Sequence, residues 1–160
     1  MDATHIHLVI THLPIFGAVL GGLVLAYGLW ADSNDTKMAA FGLLIISSVG
    51  AGIAYLTGEA AEETVENLPG VFEATIERHE DFALYALVSI LILGLTALAG
   101  IVLMLKKSPA LRTVSYLTLL LAVISFGLVA RTGYLGGQIR HSEITQGTSV
   151  PMDNPEQDDD

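Results

Sequence analysis

Four runs of the chain are almost free of charge: Ile6–Trp30, Met38–Gly58, Phe82–Leu105 and Val114–Ala130. Each approaches or exceeds the ~20 residues that cross a bilayer as a helix. None has the period-2 alternation of a barrel strand. A lipid-embedded backbone outside a closed barrel must be helical, because no water is present to bond its N–H and C=O groups. The pattern therefore predicts an all-α integral membrane protein with spans at about 6–30, 38–58, 82–105 and 112–136. The connections "DSND" and "KKSPA" are short, and Pro109 stops a helix. Short connections make successive helices antiparallel neighbours, which predicts an up-down-up-down four-helix bundle.

The middle connection, Glu59–Asp81, is longer, with "NLPG" as a turn. Beyond it Phe72, Ile76, His79 and Ala83 fall at i, i+4, i+7 and i+11. This spacing predicts a short extracytoplasmic helical connection leading into the third span. Residues 1–145 make up the four-span domain, and residues 146–160 ("QGTSVPMDNPEQDDD") read as a disordered acidic tail.

Composition supports this division and adds a direction. Only 15% of the 160 residues are charged, against about 25% in a soluble domain. The net charge is −10, and eight of the 17 acids lie between Glu59 and Asp81, with six more after Arg140. Such acidic surfaces exclude nucleic acid as a partner and repel anionic lipid. Lys37, Lys106, Lys107 and Arg112 instead gather at the two short loops. Positive-inside logic places those loops in the cytoplasm and both termini outside, in a bacterial inner membrane. The first span has no basic residue before it and is too long for a cleaved signal. There is no cysteine, so disulfides, Cys-ligated iron–sulfur clusters and C-x-x-C-H haem attachment are excluded.

The candidate chemistry lies in histidines, which are costly in hydrocarbon. "HIHLVITHLP" carries His5, His7 and His12, while His79 opens the third span and His141 follows the fourth. All five fall on the predicted outer side. Along a continuous helix His5 and His12 lie about 20° apart and His7 and His12 about 140° apart. Pro14 is best tolerated in a first turn, with Thr11 as its cap. A helix starting there would make "HIHLVI" a separate segment and let His7 turn inward.

The first and third spans are diagonal in such a bundle, so His12 and His79 are expected to face each other. They would bind haem b through two axial imidazoles, with His7 and His141 as the alternative pair or the ligands of a second haem. Gly17, Gly21, Gly22, Gly50, Gly52, Gly133, Gly136 and Gly137 would give a porphyrin room, or serve close helix packing. Arg131 would pair with a haem propionate or with Glu59. A second reading is a Cu, Zn or Fe site drawn from His7, His12, His79, His141 and Glu59, with Glu62 and Glu63 one turn beyond. A third is a cofactor-free structural subunit of a larger membrane complex. The chain has no H-E-x-x-H, Glu-x-x-His, nucleophile elbow, P-loop or Rossmann fingerprint, so no catalytic residue is assigned. Bland span centres disfavour a transporter. A faint repeat also shows, with a histidine before each hairpin and Thr-Gly after it, in "YLTGE" and "ARTGYLGG".

The strings "HLVITHLP", His79 and "GYLGGQIRH" resemble the H-x4-H-x-P and G-G-x3-H patterns of a bacterial four-helix membrane family, domain of unknown function 2231. "YLTGEAAEE", "LPGVFEATIERHED" and "ARTGYLGGQIRH" are similar to small uncharacterised membrane proteins of Bacteroidetes-type bacteria. The resemblance covers nearly all of residues 4–144. Relatives of that domain are sometimes joined to Rieske or cytochrome-type modules, which implies a place near electron transfer. Leu8 departs from the pattern, since the wider family often has Pro after the first histidine. The expected function is electron transfer between a quinol or other membrane partner and an extracytoplasmic redox carrier. Subunits of a respiratory-type complex, a second copy of the chain and the bilayer itself complete the expected partners.

Overall fold

The computed structural model describes residues 3–66 and 71–140. These form α1 (Ala3–Ile10), α2 (His12–Trp30), α3 (Asn34–Val65), α4 (Glu73–Leu105) and α5 (Leu111–Arg140). The expected "NLPG" turn, His141 and the tail from residue 146 lie outside the described residues. With α1 and α2 taken as the single stretch Thr4–Trp30, four helices are long and apolar enough to cross a membrane.

The first helix starts before Thr11. The Thr11 N–H bonds to the His7 carbonyl at 3.0 Å, and Thr11 itself has helical angles (φ −59°, ψ −24°). Only that one residue separates α1 from α2. Pro14 has no N–H to offer the Ile10 carbonyl, which accounts for a lapse at this place. Thr11 does not cap a new helix through its side chain; its hydroxyl donates to the Leu8 carbonyl at 3.0 Å.

Each helix carries a stripe of small or branched residues toward its neighbours. Gly17 and Gly21 of α2 receive Ser47 and Leu44 of α3, and Gly50 of α3 receives Leu13. Gly94 and Gly100 of α4 receive Ser48 and Phe41 of α3. Gly22 meets Ala122 and Gly133 meets Ile15 where α2 touches α5. In every pair, rising numbers on one helix meet falling numbers on the next, so these neighbours lie antiparallel. Helix α2 packs on α3 and α5, and α4 packs on the same two, which makes α2 and α4 the diagonal pair.

The core thus consists of Ala18, Leu25, Phe41, Leu44, Ile90, Leu93 and their neighbours, with few polar groups. Those that occur are bonded. Ser47 donates to the Pro14 carbonyl at 3.2 Å, and the Ser89 and Ser125 hydroxyls meet at 2.7 Å between α4 and α5. Large apolar side chains such as Phe16, Leu20, Leu23, Leu95 and Val123 face outward, as a lipid-facing surface requires.

The two short turns close alike. Asp32 (φ 47°) and Lys107 (φ 51°) adopt the left-handed conformation. The following serines then bond back into the helices, Ser33 N–H to the Gly28 carbonyl at 3.0 Å and Ser108 N–H to Leu103 at 2.9 Å. Both are Schellman closures. In the first turn the Lys37 ammonium meets Asp32 at 2.8 Å and holds that carboxyl below the usual carboxylate range.

At the opposite end α3 and α4 exceed the length that a bilayer span needs. They have 32 and 33 residues, roughly 50 Å at 1.5 Å per residue, against ~30 Å of hydrocarbon. The surplus carries Glu59–Glu66 and Glu73–Asp81. Among the described residues the connection is made of these two extensions rather than of a helix of its own.

Glycine packing gives a direct test. A Cβ at Gly100 would fall 2.5 Å from Phe41 Cζ, whereas one at Gly42 would meet nothing. Gly100→Ala is expected to destabilise the protein by about 1–3 kcal/mol and Gly42→Ala to be neutral or stabilise by up to about 1 kcal/mol. Denaturation midpoints in detergent check both; equal effects would contradict this packing.

Candidate functional site

The inward stripes lead to two histidines. On α2 the buried residues Pro14, Ala18, Gly21, Leu25 and Gly28 recur at three or four residues, as a packed helix face does. One heptad back from Pro14 is His7. On α4 the buried residues Ile76, Ala86, Ile90, Leu93, Ala97 and Gly100 follow the same rhythm, and His79 is in step with it. His12 is in step with the other face, that of exposed Phe16, Leu20, Leu23, Tyr27 and Trp30. Its ring stacks on Phe16 with centroids 6.4 Å apart, and its Nδ1 bonds to the Leu8 carbonyl at 2.9 Å. His5 is also exposed, as its angular closeness to His12 requires.

His12, expected to face His79, is thus on the outer face, and the histidines on inward stripes are His7 and His79. The cause is helical continuity through Thr11, which leaves His12 about 140° around from His7. The charges that act on His79 through space include those of His7 and Glu62. His141, the other expected partner of His7, lies outside the described residues.

The two inward rings are held in the same manner. His7 Nδ1 lies 2.8 Å from the Ala54 carbonyl on α3, and His79 Nδ1 lies 3.0 Å from the Thr132 carbonyl on α5. A carbonyl only accepts, so each Nδ1 carries the hydrogen and donates. In the neutral ring Nε2 then keeps its lone pair. Among the described residues no hydrogen bond uses either Nε2. The Thr57 hydroxyl adds a 3.3 Å contact to His7 Nδ1, while donating to the Ile53 carbonyl at 2.9 Å.

A glycine stands four residues after each acceptor carbonyl: Gly58 after Ala54, Gly136 after Thr132. A helical carbonyl points along the axis toward residue i+4, whose side chain would crowd an incoming ring. A Cβ at Gly136 would lie 3.0 Å from His79 Cε1, and one at Gly58 would lie 3.6 Å from His7 Cε1. Gly136 thus leaves the room that the His79 ring occupies, whereas a Cβ at Gly58 would make only ordinary contact with His7. The sequence carried this signal as Ala54-x3-Gly58 and Thr132-x3-Gly136 on small-residue stripes, each beside a neighbouring helix with a histidine on its own stripe. It sets the repeat in a register different from the Thr-Gly pairs. His7 with Ala54 and Gly58 corresponds to His79 with Thr132 and Gly136.

The remaining candidates are arranged differently from expectation. Gly17, Gly21, Gly22, Gly50 and Gly133 face neighbouring helices, and Gly52 and Gly137 face nothing within 4 Å, so only Gly136 of that group adjoins a histidine. Arg131 lies over the rings of Phe82 at 5.6 Å and Tyr134 at 5.4 Å, not in a described ion pair with Glu59. Glu59 and Glu63 are exposed. The Glu80 carboxyl on α4, beside Glu62 on α3, raises the Glu62 carboxyl above its usual range. Among the described residues no three His, Asp or Glu side chains converge as a metal-binding group.

Selective ¹⁵N-histidine NMR of the protein in detergent micelles at neutral pH tests this geometry. His7 and His79 are expected to show protonated Nδ1 and unprotonated Nε2, and the reverse tautomer at either ring would contradict it. No family model, curated protein or solved structure matches the chain.

Proposed function

We propose that the chain is an up-down-up-down membrane bundle that holds b-type haem at its histidine end, with His7 and His79 as axial ligands. The observation that carries this reading is the pair of inward imidazoles, each fixed through Nδ1 and each leaving Nε2 as a donor. Metal-binding histidines are commonly oriented in this way by a bond from the other ring nitrogen to a carbonyl. The number of donors chooses the group. A non-haem ion asks for three or four protein ligands, which the described residues do not bring together. Haem iron already has four porphyrin nitrogens and takes one or two ligands from the protein.

Haem bound there would supply one-electron chemistry. The chain's residues do the rest. Ala54 and Thr132 fix the ring orientations, and Gly136 leaves the room that the His79 ring occupies. Arg131, exposed and without a described carboxylate partner, is the cation nearest in kind to what a propionate needs. The basic turn end, with Lys37, Lys106, Lys107 and Arg112, would face the cytoplasm by the positive-inside rule. The histidines and both termini would then face outward, in a bacterial inner membrane. Electrons would pass between a membrane partner such as a quinol and a carrier on that outer side, where the acidic surplus of α3 and α4 favours a basic partner. The resemblance to the four-helix family with cytochrome-linked relatives is consistent with this role.

The visible spectrum of the purified protein, reconstituted with haem where none copurifies, tests the proposal. A Soret band and a sharp reduced α band are expected. His7→Ala or His79→Ala should lower bound haem by about tenfold or more, and His12→Ala should leave it unchanged. Stoichiometric copper, zinc or iron without a Soret band would replace haem by a metal centre. Failure to bind either would leave a structural subunit.

A further inference from the structure

The turn end holds a second site of different chemistry. A cleft of about 470 Å³ opens between the α2–α3 and α4–α5 turns, lined by Asp32, Asn34 and Lys37 from one and Ser108, Arg112 and Tyr116 from the other. Leu29 and Leu111 form its apolar margin. Lys37 is 8% exposed, with its ammonium on Asp32 at 2.8 Å and 3.5 Å from Asn34 Oδ1. Arg112 is exposed and close enough to Asp32 to act on its charge, but the ion pair described for Asp32 is with Lys37. Arg112 and Tyr116 are one turn apart on α5, so both present to one side.

Charge singles this end out. The chain as a whole is −10, yet residues 30–37 and 105–112 contain Lys37, Lys106, Lys107 and Arg112 against Asp32 and Asp35, a sum of +2. Depth does so as well. Tyr27 and Trp30 pack with ring centroids 5.7 Å apart and are exposed on the last turn of α2. Such aromatics settle at headgroup level. A basic, hydroxyl-lined recess between helix ends at that depth has the character of a phospholipid headgroup site.

We infer that this cleft binds the phosphate of an anionic phospholipid in the leaflet at the turn end. Arg112 is the main anion contact, with the Ser108 and Tyr116 hydroxyls and the backbone around them as further donors. The acyl chains leave over Leu29 and Leu111. The inference rests on the membrane placement proposed above but not on haem.

The test uses the full chain in detergent micelles. Its thermal stability is measured with added phosphatidylglycerol, phosphatidylcholine of the same acyl chains, or inorganic phosphate, and bound lipid is counted by native mass spectrometry. Phosphatidylglycerol should be retained and stabilising, phosphatidylcholine and phosphate much less so. R112Q should lower phosphatidylglycerol retention by about fivefold. K106Q/K107Q removes two charges from the same end but none from the cleft lining, and should lower retention less than R112Q does. Equal stabilisation by phosphate would overturn the lipid assignment. A greater loss in K106Q/K107Q than in R112Q would overturn the cleft in favour of diffuse attraction. Release of the protein from membranes by alkaline carbonate would instead defeat the membrane placement itself, so the two failures are separable.

Discussion

A carbonyl in a helix already accepts the N–H four residues on, and the side chain at that position normally shields it. At Ala54 and Thr132 the fourth residue is glycine, and an imidazole from the neighbouring helix reaches the carbonyl. A Cβ at Gly136 would crowd the ring, whereas one at Gly58 would make only ordinary contact. The rest of the site depends on this ring-to-carbonyl bond. It sets which ring nitrogen carries the hydrogen, leaves the other as a donor, and couples the approach of two helices to the orientation of a functional group. Because it occurs twice, in the two hairpins of a bundle, it produces a pair of donors rather than one.

Packing carries the constraint along the bundle. Helices in lipid gain nothing from hiding apolar surface and associate through close contact of small residues. Gly17, Gly21, Gly94 and Gly100 serve such contacts here, each filled by a side chain of the next helix. The same stripes continue toward the far end of the bundle, where small residues become a place for a ring to lie. His7 and His79 are polar positions on two otherwise apolar or small faces, toward the end of the bundle away from the short turns. The opposite end follows the same logic with other groups. Two left-handed residues, Asp32 and Lys107, close matching turns, and the recess between them gathers cations.

How much of this was legible follows from which signals are local. Charge-free length marks the four long apolar helices, and "DSND" and "KKSPA" place the turns. The inward histidine was misassigned because His12 was preferred as the partner of His79, and His7 was given an inward course only if a helix began at Thr11. The chain runs helical through Thr11, and a lapse of one residue does not reset the face. Comparison of stripes separates the two histidines: His7 is in step with Ala18, Gly21 and Gly28, His12 with Phe16, Leu20 and Trp30. The glycines were harder, because a glycine that packs and a glycine that exposes a carbonyl look alike until the neighbouring helix is known. Arg131 was harder still. Its choice of the Phe82 and Tyr134 faces over a carboxylate depends on how α4 and α5 rotate against each other, which no spacing within one helix reveals.

The central claim is that His7, and not His12, shares the end of the bundle core with His79. Since the chain contains no cysteine, thiol pairs can be introduced cleanly. His7→Cys/His79→Cys and His12→Cys/His79→Cys variants, treated in membranes with short bifunctional thiol reagents, would report which pair meets. Efficient intramolecular cross-linking of the first pair and little of the second is predicted. Cross-linking of the second pair with the first left unreacted would contradict it.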